Sequence, residues 1–211
     1  CTRAVVCGAG FIGLEMAENL YSRGLSVTVI DAAETIMPTA FDFEMADYVK
    51  KQLQAKGIRV LTGARLNSVA GTEKAEAVNT DSGNIPADIV IMAIGIRPAT
   101  AFLEGSGIEM DRGAIITDEN MQTNLPDIYA AGDCAEVKNL ITGKPQWSAM
   151  GSTANITARL LAKNITGTSY SYGGCLGTGV VKVLPELNCG RTGLTEKEAL
   201  ANGYNPVSAL C

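Results

Sequence analysis

A three-layer α/β fold built on a parallel sheet is what this sequence predicts, and three observations predict it. Short apolar runs recur at residues 4–7, 26–30 and 58–61, each the length of a strand buried on both faces. Stretches with helical spacing of apolar residues separate them. Beyond residue 64 the pattern changes to short polar-apolar alternations, the mark of an antiparallel meander.

Residues 4–7 form the first expected strand, which runs into glycines. A helix follows over residues 11–23, with Leu14, Ala17, Leu20 and Tyr21 on one face and Gly24 as its stop. The second strand, 26–30, closes on Asp31. A helix over 41–55 is ended by Gly57, and the third strand is 58–61. This βαβαβ order, with right-handed crossovers, forces the strands parallel. Gly71 and Asp81-Ser82-Gly83 punctuate a meander over residues 64–85. Residues 88–93 suit a further buried strand ended by Gly95 and Pro98, and 128–131 another, broken at Gly132-Asp133. Residues 151–165 read as a helix with Ala154, Ala158, Leu161 and Ala162 on a small-residue face. The chain is β-like again at 179–184. A last helix at 195–201 opens on Thr195 with Glu198 three residues on, the capping-box spacing.

Composition excludes several classes of function. Hydrophobic residues are 46% and charged residues 18% of the chain, an ordinary globular balance. The net charge of −5 and the lack of clustered Lys and Arg speak against nucleic acid as a partner. No apolar run approaches the ~20 residues of a membrane span, so no membrane partner is expected. The first strand begins within three residues of the start, so no signal peptide is expected either. The six cysteines are scattered, without CxxC or metal-ligand spacing, as in a cytoplasmic protein with reduced thiols. No metal is expected. With no histidine, the chain supplies no imidazole base.

Gly8-Ala9-Gly10-Phe11-Ile12-Gly13 matches GxGxxG, and it follows a strand, opens a helix and lies inside a βαβ unit. Gly8 serves the tight turn, Gly10 lets backbone approach a pyrophosphate, and Gly13 lets the helix pack close on the strand. The phosphates then meet the amides and positive end of a helix. Phe11 and Ile12, between the glycines, are candidate contacts with them. Asp31 ends the second strand 18 residues after Gly13, where a carboxylate accepts the ribose hydroxyls of NAD(H); it also suits a plain strand-end cap. No Lys or Arg occurs from residue 24 through 49, so the cation that a 2′-phosphate wants is missing there, and NADH is expected over NADPH. The fold is therefore a Rossmann-type NAD-binding domain.

Leu125-Pro126-Asp127-Ile128-Tyr129-Ala130-Ala131-Gly132-Asp133 resembles the second flavin-binding signature of the pyridine nucleotide-disulfide oxidoreductase family. Three more segments agree in order: Gly10 to Leu20, Ala93-Ile94-Gly95-Ile96-Arg97-Pro98, and Thr192 to Ala199. The most similar branch is that of coenzyme A-disulfide reductases and NADH oxidases. The resemblance implies FAD as a second cofactor, held in part by Gly132 and Asp133, with Asp133 accepting from a ribityl hydroxyl. A turn with Asp as helix cap is the other reading of that pair. It implies backbone near Met150 and Gly151 against the flavin, at a helix N-terminus. Gly95, in the segment Ala93 to Pro98, is a further candidate NAD contact. Glu15 corresponds to a family glutamate where nicotinamide and flavin meet; ordinary helix-surface charge is the alternative reading.

The resemblance also implies a longer parent. Such enzymes carry an earlier GxGxxG for FAD and a redox-active cysteine, and no cysteine here matches that position, so none is nominated as nucleophile. The chain is expected to be an internal piece, inactive alone, of a homodimeric flavoenzyme acting on a small-molecule substrate. Its expected parts are an NAD(H)-binding domain at 1–113, the C-terminal part of an FAD domain at 114–169, and the start of an α+β dimerisation domain at 170–211. Val180, Val181, Val183 and Leu184 would then lack part of their cover. Hydride from NADH would pass to flavin and on to a disulfide, oxygen or peroxide. Two alternatives stand beside it: a ferredoxin- or rubredoxin-type reductase with the same two-cofactor core, and a non-enzymatic NAD-sensing domain that would keep Gly8, Gly10, Gly13 and Asp31 but has no use for Gly132-Asp133.

Overall fold

Val5, Val6, Val27 and Val29 are stiff at χ1 and suit pleated backbone. In the computed structural model, which describes residues 1–210, they lie in β1 (Arg3–Cys7) and β2 (Ser26–Ile30). Helix α1 (Phe11–Ser22) connects the two and turns Leu14, Ala17 and Leu20 to the core. Helix α2 (Phe43–Ala55) follows, burying Ala46, Val49 and Leu53, and leads into β3 (Arg59–Leu61). The meander is β4 (Leu66–Ala70), β5 (Ala77–Thr80) and β6 (Gly83–Pro86), an antiparallel three-stranded sheet. β7 (Ile89–Met92) returns to the first sheet, whose order is β3-β2-β1-β7. β1 pairs with β2 and with β7 in parallel, Ala4 facing Val27 on one side and Ile89 on the other. The expected α/β architecture with a parallel sheet and a separate meander is present. β7 is an edge strand and only half-buried, where the sequence suggested full burial.

A surface ion pair fixes the entry to this sheet. The Asp88 carboxylate, just ahead of β7, accepts from the Thr2 and Arg3 amides at 2.8 and 3.0 Å and from Arg3 Nη2 at 2.6 Å. These donors hold the Asp88 carboxyl far below the usual carboxylate range, and the carboxylate raises the Arg3 guanidinium in return.

Two short hairpin strands, β8 (Met110–Asp111) and β9 (Ala114–Ile115), come next, then β10 (Glu136–Lys138) paired with β11 (Pro145–Trp147), and helix α3 (Gly151–Ile165). The strand expected at 128–131 is not formed. Tyr129 makes one isolated bridge to Gln122, and Ile128 is exposed. An apolar run becomes a strand only beside a backbone that completes its ladder, and this one exchanges just two hydrogen bonds with residues 121–123, Thr123 donating to Ile128 and Ala130 to Met121.

The hairpin β12 (Gly179–Leu184) and β13 (Leu187–Arg191) precedes α4 (Glu196–Ala201), where the capping box is made in both directions. Here an expectation is corrected. Val181, Val183 and Leu184 are at most 3% exposed and belong to the same core as Leu14, Ala17 and Val49. The alternation of β12 turns Val181 and Val183 inward, a register shift between Lys182 and Leu184 lets Leu184 be buried as well, and of the four only Val180 stays outside, at 73%. Lys182 on β12 reaches the buried Glu18 of α1 at 3.1 Å. Two compact units result: residues 1–95 with 179–191 and 195 onward, and residues 96–178 with 192–194.

Candidate dinucleotide site

Where β1 ends, its backbone turns away beneath α1. Gly8 takes φ +110°, and a Cβ there would stand 2.2 Å from the Ala93 carbonyl oxygen. A Cβ on Gly13 would stand 1.8 Å from the Gly8 carbonyl oxygen. Both glycines are therefore required by the protein itself. Gly10 differs. Its φ of −83° suits any residue, and nothing lies within 4 Å of the Cβ it lacks. Neither backbone nor packing asks for glycine at that position, so a side chain there would meet open space.

The turn is held firmly. Ala9 donates its amide to Asp31 Oδ2 at 2.7 Å and accepts from the Met37 amide at 2.9 Å. The other Asp31 oxygen accepts from the Ala33 amide at 2.8 Å. Gly10 occupies the N-cap of α1 without a capping side chain, and no acidic residue sits in the first turn, so the positive end of the helix is open to an anion.

A cavity of about 520 Å3 lies along this edge of the sheet, within the size range of a small-molecule site. Gly8, Gly10, Asp31 and Gly95 are in its wall, with Cys7, Ala32, Pro38, Thr39 and Arg65. Gly13 is buried behind it, Phe11 packs on the core, and Ile12 and Glu15 are exposed on α1; none of these four is in the wall. Burial pushes the Cys7 thiol up. Arg65 escaped the sequence analysis because it follows β3, far along the chain from the glycines; only the parallel order of the sheet signals that the loop after β3 reaches this edge.

In the second unit, Gly132 takes φ +91° and Asp133 is exposed, its carbonyl accepting from the Trp147 indole at 2.7 Å. Met150 is the N-cap of α3, again without a capping side chain, and Gly151 has nothing within 4 Å of its missing Cβ. No group of three metal-binding side chains occurs among the described residues, and no helix there is long and apolar enough to cross a membrane.

The sequence matches the family model of pyridine nucleotide-disulphide oxidoreductases over residues 2–154. The chain belongs to that family. Among its curated relatives, an NAD(P)H sulfur oxidoreductase (CoA-dependent) of Pyrococcus furiosus is 39% identical over 98% of this chain and 46% of its own length. Among solved structures, an FAD-dependent family member from Desulfovibrio vulgaris superposes with TM-score 0.90 at 38% identity, covering 98% of this chain and 52% of that one. A water-forming NADH oxidase from Lactobacillus brevis, bound to NADH, gives TM-score 0.90 at 32% identity, covering 97% and 45%. The chain spans about half the length of the curated relatives it matches. Its Rossmann-type sheet with attached meander is thus the fold that the family predicts.

Proposed function

We propose that this chain forms the NADH-binding surface and part of the flavin-binding surface of an FAD-dependent NADH oxidoreductase. The observation that carries the reading is Gly10, a glycine whose only evident use is the close approach of a bound dinucleotide. Bound there, the dinucleotide supplies hydride to a flavin, and electrons pass on to a disulfide, oxygen or peroxide. The chain's own part is positional. The α1 N-terminus with Gly8 and Gly10 takes the pyrophosphate, Asp31 the adenosine ribose, and Gly95 lines the opposite end on the β7 side. Gly132, Asp133, Met150 and Gly151 are the candidate flavin contacts, and Glu15 a candidate at the nicotinamide.

NADH is the preferred donor in this reading. An engineered, NADPH-bound derivative of the Lactobacillus brevis enzyme replaces a glycine, an aspartate eighteen residues later, the two residues after that, and a proline seven residues beyond the aspartate. Gly13, Asp31, Ala32, Ala33 and Pro38 stand here at the same spacing. That derivative loses the carboxylate and gains two arginines, whereas this chain keeps Asp31.

The reading extends to an NAD(H) domain at 1–113, FAD-domain residues at 114–169, a dimerisation segment from 170, and a cytoplasmic homodimer. Anaerobic addition of NADH to the FAD-loaded parent enzyme, of which this chain is read as a part, tests it. Loss of the oxidised-flavin absorbance is expected, and an unchanged spectrum would refute the proposal.

A further inference from the structure

Asp31 and Arg65 are the two charged residues in the wall of the cavity. Asp31 has both carboxylate oxygens engaged by amides of the fold. Arg65 is the reverse case. Its backbone is clamped, its amide donating to Asp81 Oδ1 at 2.9 Å and its carbonyl accepting from the Asp81 amide at 3.3 Å. Its guanidinium makes no hydrogen bond or ion pair among the described residues. Arg65 is exposed at the cavity wall, and a cation on an anchored Cα with no partner within the described fold suits an anionic ligand.

The sheet order says which part of the ligand meets it. Across the C-terminal edge, the wall runs from Ala93, Ile94 and Gly95 after β7, through Gly8 and Gly10 after β1, to Asp31 after β2 and Arg65 after β3. Ala64, next to Arg65, donates its amide to the Asp31 carbonyl at 2.8 Å. Arg65 therefore lies on the adenosine side, past the ribose position and away from the pyrophosphate turn. Ala32 and Pro38, at the spacing where the NADPH-bound relative carries arginine, share the same wall.

We propose that the Arg65 guanidinium takes the phosphate monoester on the adenosine 2′-oxygen, so that this chain also accepts NADPH although Asp31 favours NADH. The proposal rests on the dinucleotide reading of the site. Arg65 supplies from outside the β2–α2 loop the cation that the loop lacks. Calorimetric titration of the protein with 5′-AMP and with 2′,5′-ADP separates the two ideas. Arg65→Ala is expected to weaken 2′,5′-ADP about ten-fold or more while leaving 5′-AMP within about two-fold, and Arg65→Lys to restore part of the loss. Salt should weaken 2′,5′-ADP on the wild-type protein and lose most of that effect on Arg65→Ala. Equal weakening of both nucleotides would assign Arg65 to the adenine ring and overturn the proposal, as would no change in either. A wild-type protein that binds neither nucleotide would overturn the dinucleotide reading along with it.

Discussion

The Asp31 carboxylate and the Ala9 amide are joined by a 2.7 Å hydrogen bond that ties the end of β2 to the glycine turn after β1. A residue chosen in the sequence for its ligand chemistry is thus also part of the scaffold. In the proposed reading, cap and ribose acceptor are one side chain, since a carboxylate has lone pairs for both amides and hydroxyls.

Asp31→Ala removes both roles. It should weaken NADH by about 1–3 kcal/mol, the cost of lost charged hydrogen bonds, and shift the NADH-to-NADPH preference towards NADPH. Parallel titrations of the two nucleotides measure it. Tighter NADPH than NADH binding by the wild-type protein would contradict the preference.

The two glycines at either end of Phe11-Ile12 should part company on mutation. Gly13→Ala drives a methyl into the Gly8 carbonyl oxygen and should cost about 1–3 kcal/mol of stability or more. Gly10→Ala meets open space at an ordinary φ, so its melting temperature should stay near wild type while NADH binding is lost. Thermal unfolding alongside NADH titration reads both, and an unaltered NADH affinity in folded Gly10→Ala would contradict the site.

Acid should loosen the join between β1 and β7. The folded-state pKa of Asp88 lies below its unfolded value of about 3.9, so its contribution is complete above that pH and fades as pH falls through the folded value. Asp88→Asn should therefore be less stable than wild type at neutral pH, and the gap should close below about pH 4. Denaturant unfolding across pH follows it, and added salt should narrow the gap because the Arg3 side chain is half exposed.

Hairpin β12–β13 should behave as core. Val183→Ala should cost roughly 1–3 kcal/mol, since the side chain is fully buried, whereas Val180→Ala should stay within about 0.5 kcal/mol. Hydrogen exchange of β12 amides should match the β1 amides, and rapid exchange there would show the packing on α1 to be absent in solution.

The βαβαβ core, the meander and the Thr195 capping box were legible because each is specified locally, by periodicity, by turn residues or by a three-residue spacing. That Gly8, Gly10 and Asp31 come together in one wall was legible for the same reason, since turn and strand end are neighbours in a fixed motif. Partners decided the rest. Residues 128–131 have strand composition but only an isolated bridge, and Val181 and Val183 look like an uncovered strand until α1 is placed beside them. Arg65 carries no local mark at all; its place in the cavity wall emerges only from the order β3-β2-β1-β7.

The chain leaves its first unit after residue 95 and re-enters it at residue 179. During synthesis, the apolar face of α1 must wait for β12 to be made. At roughly 5–20 residues per second, the stretch from Leu20 to Leu184 takes on the order of ten to thirty seconds, long compared with the collapse of a small domain. Through that interval Leu14, Ala17 and Leu20 lack part of their native cover. The nascent protein is then most open to misassociation, and a chaperone that binds apolar helices would find its target there.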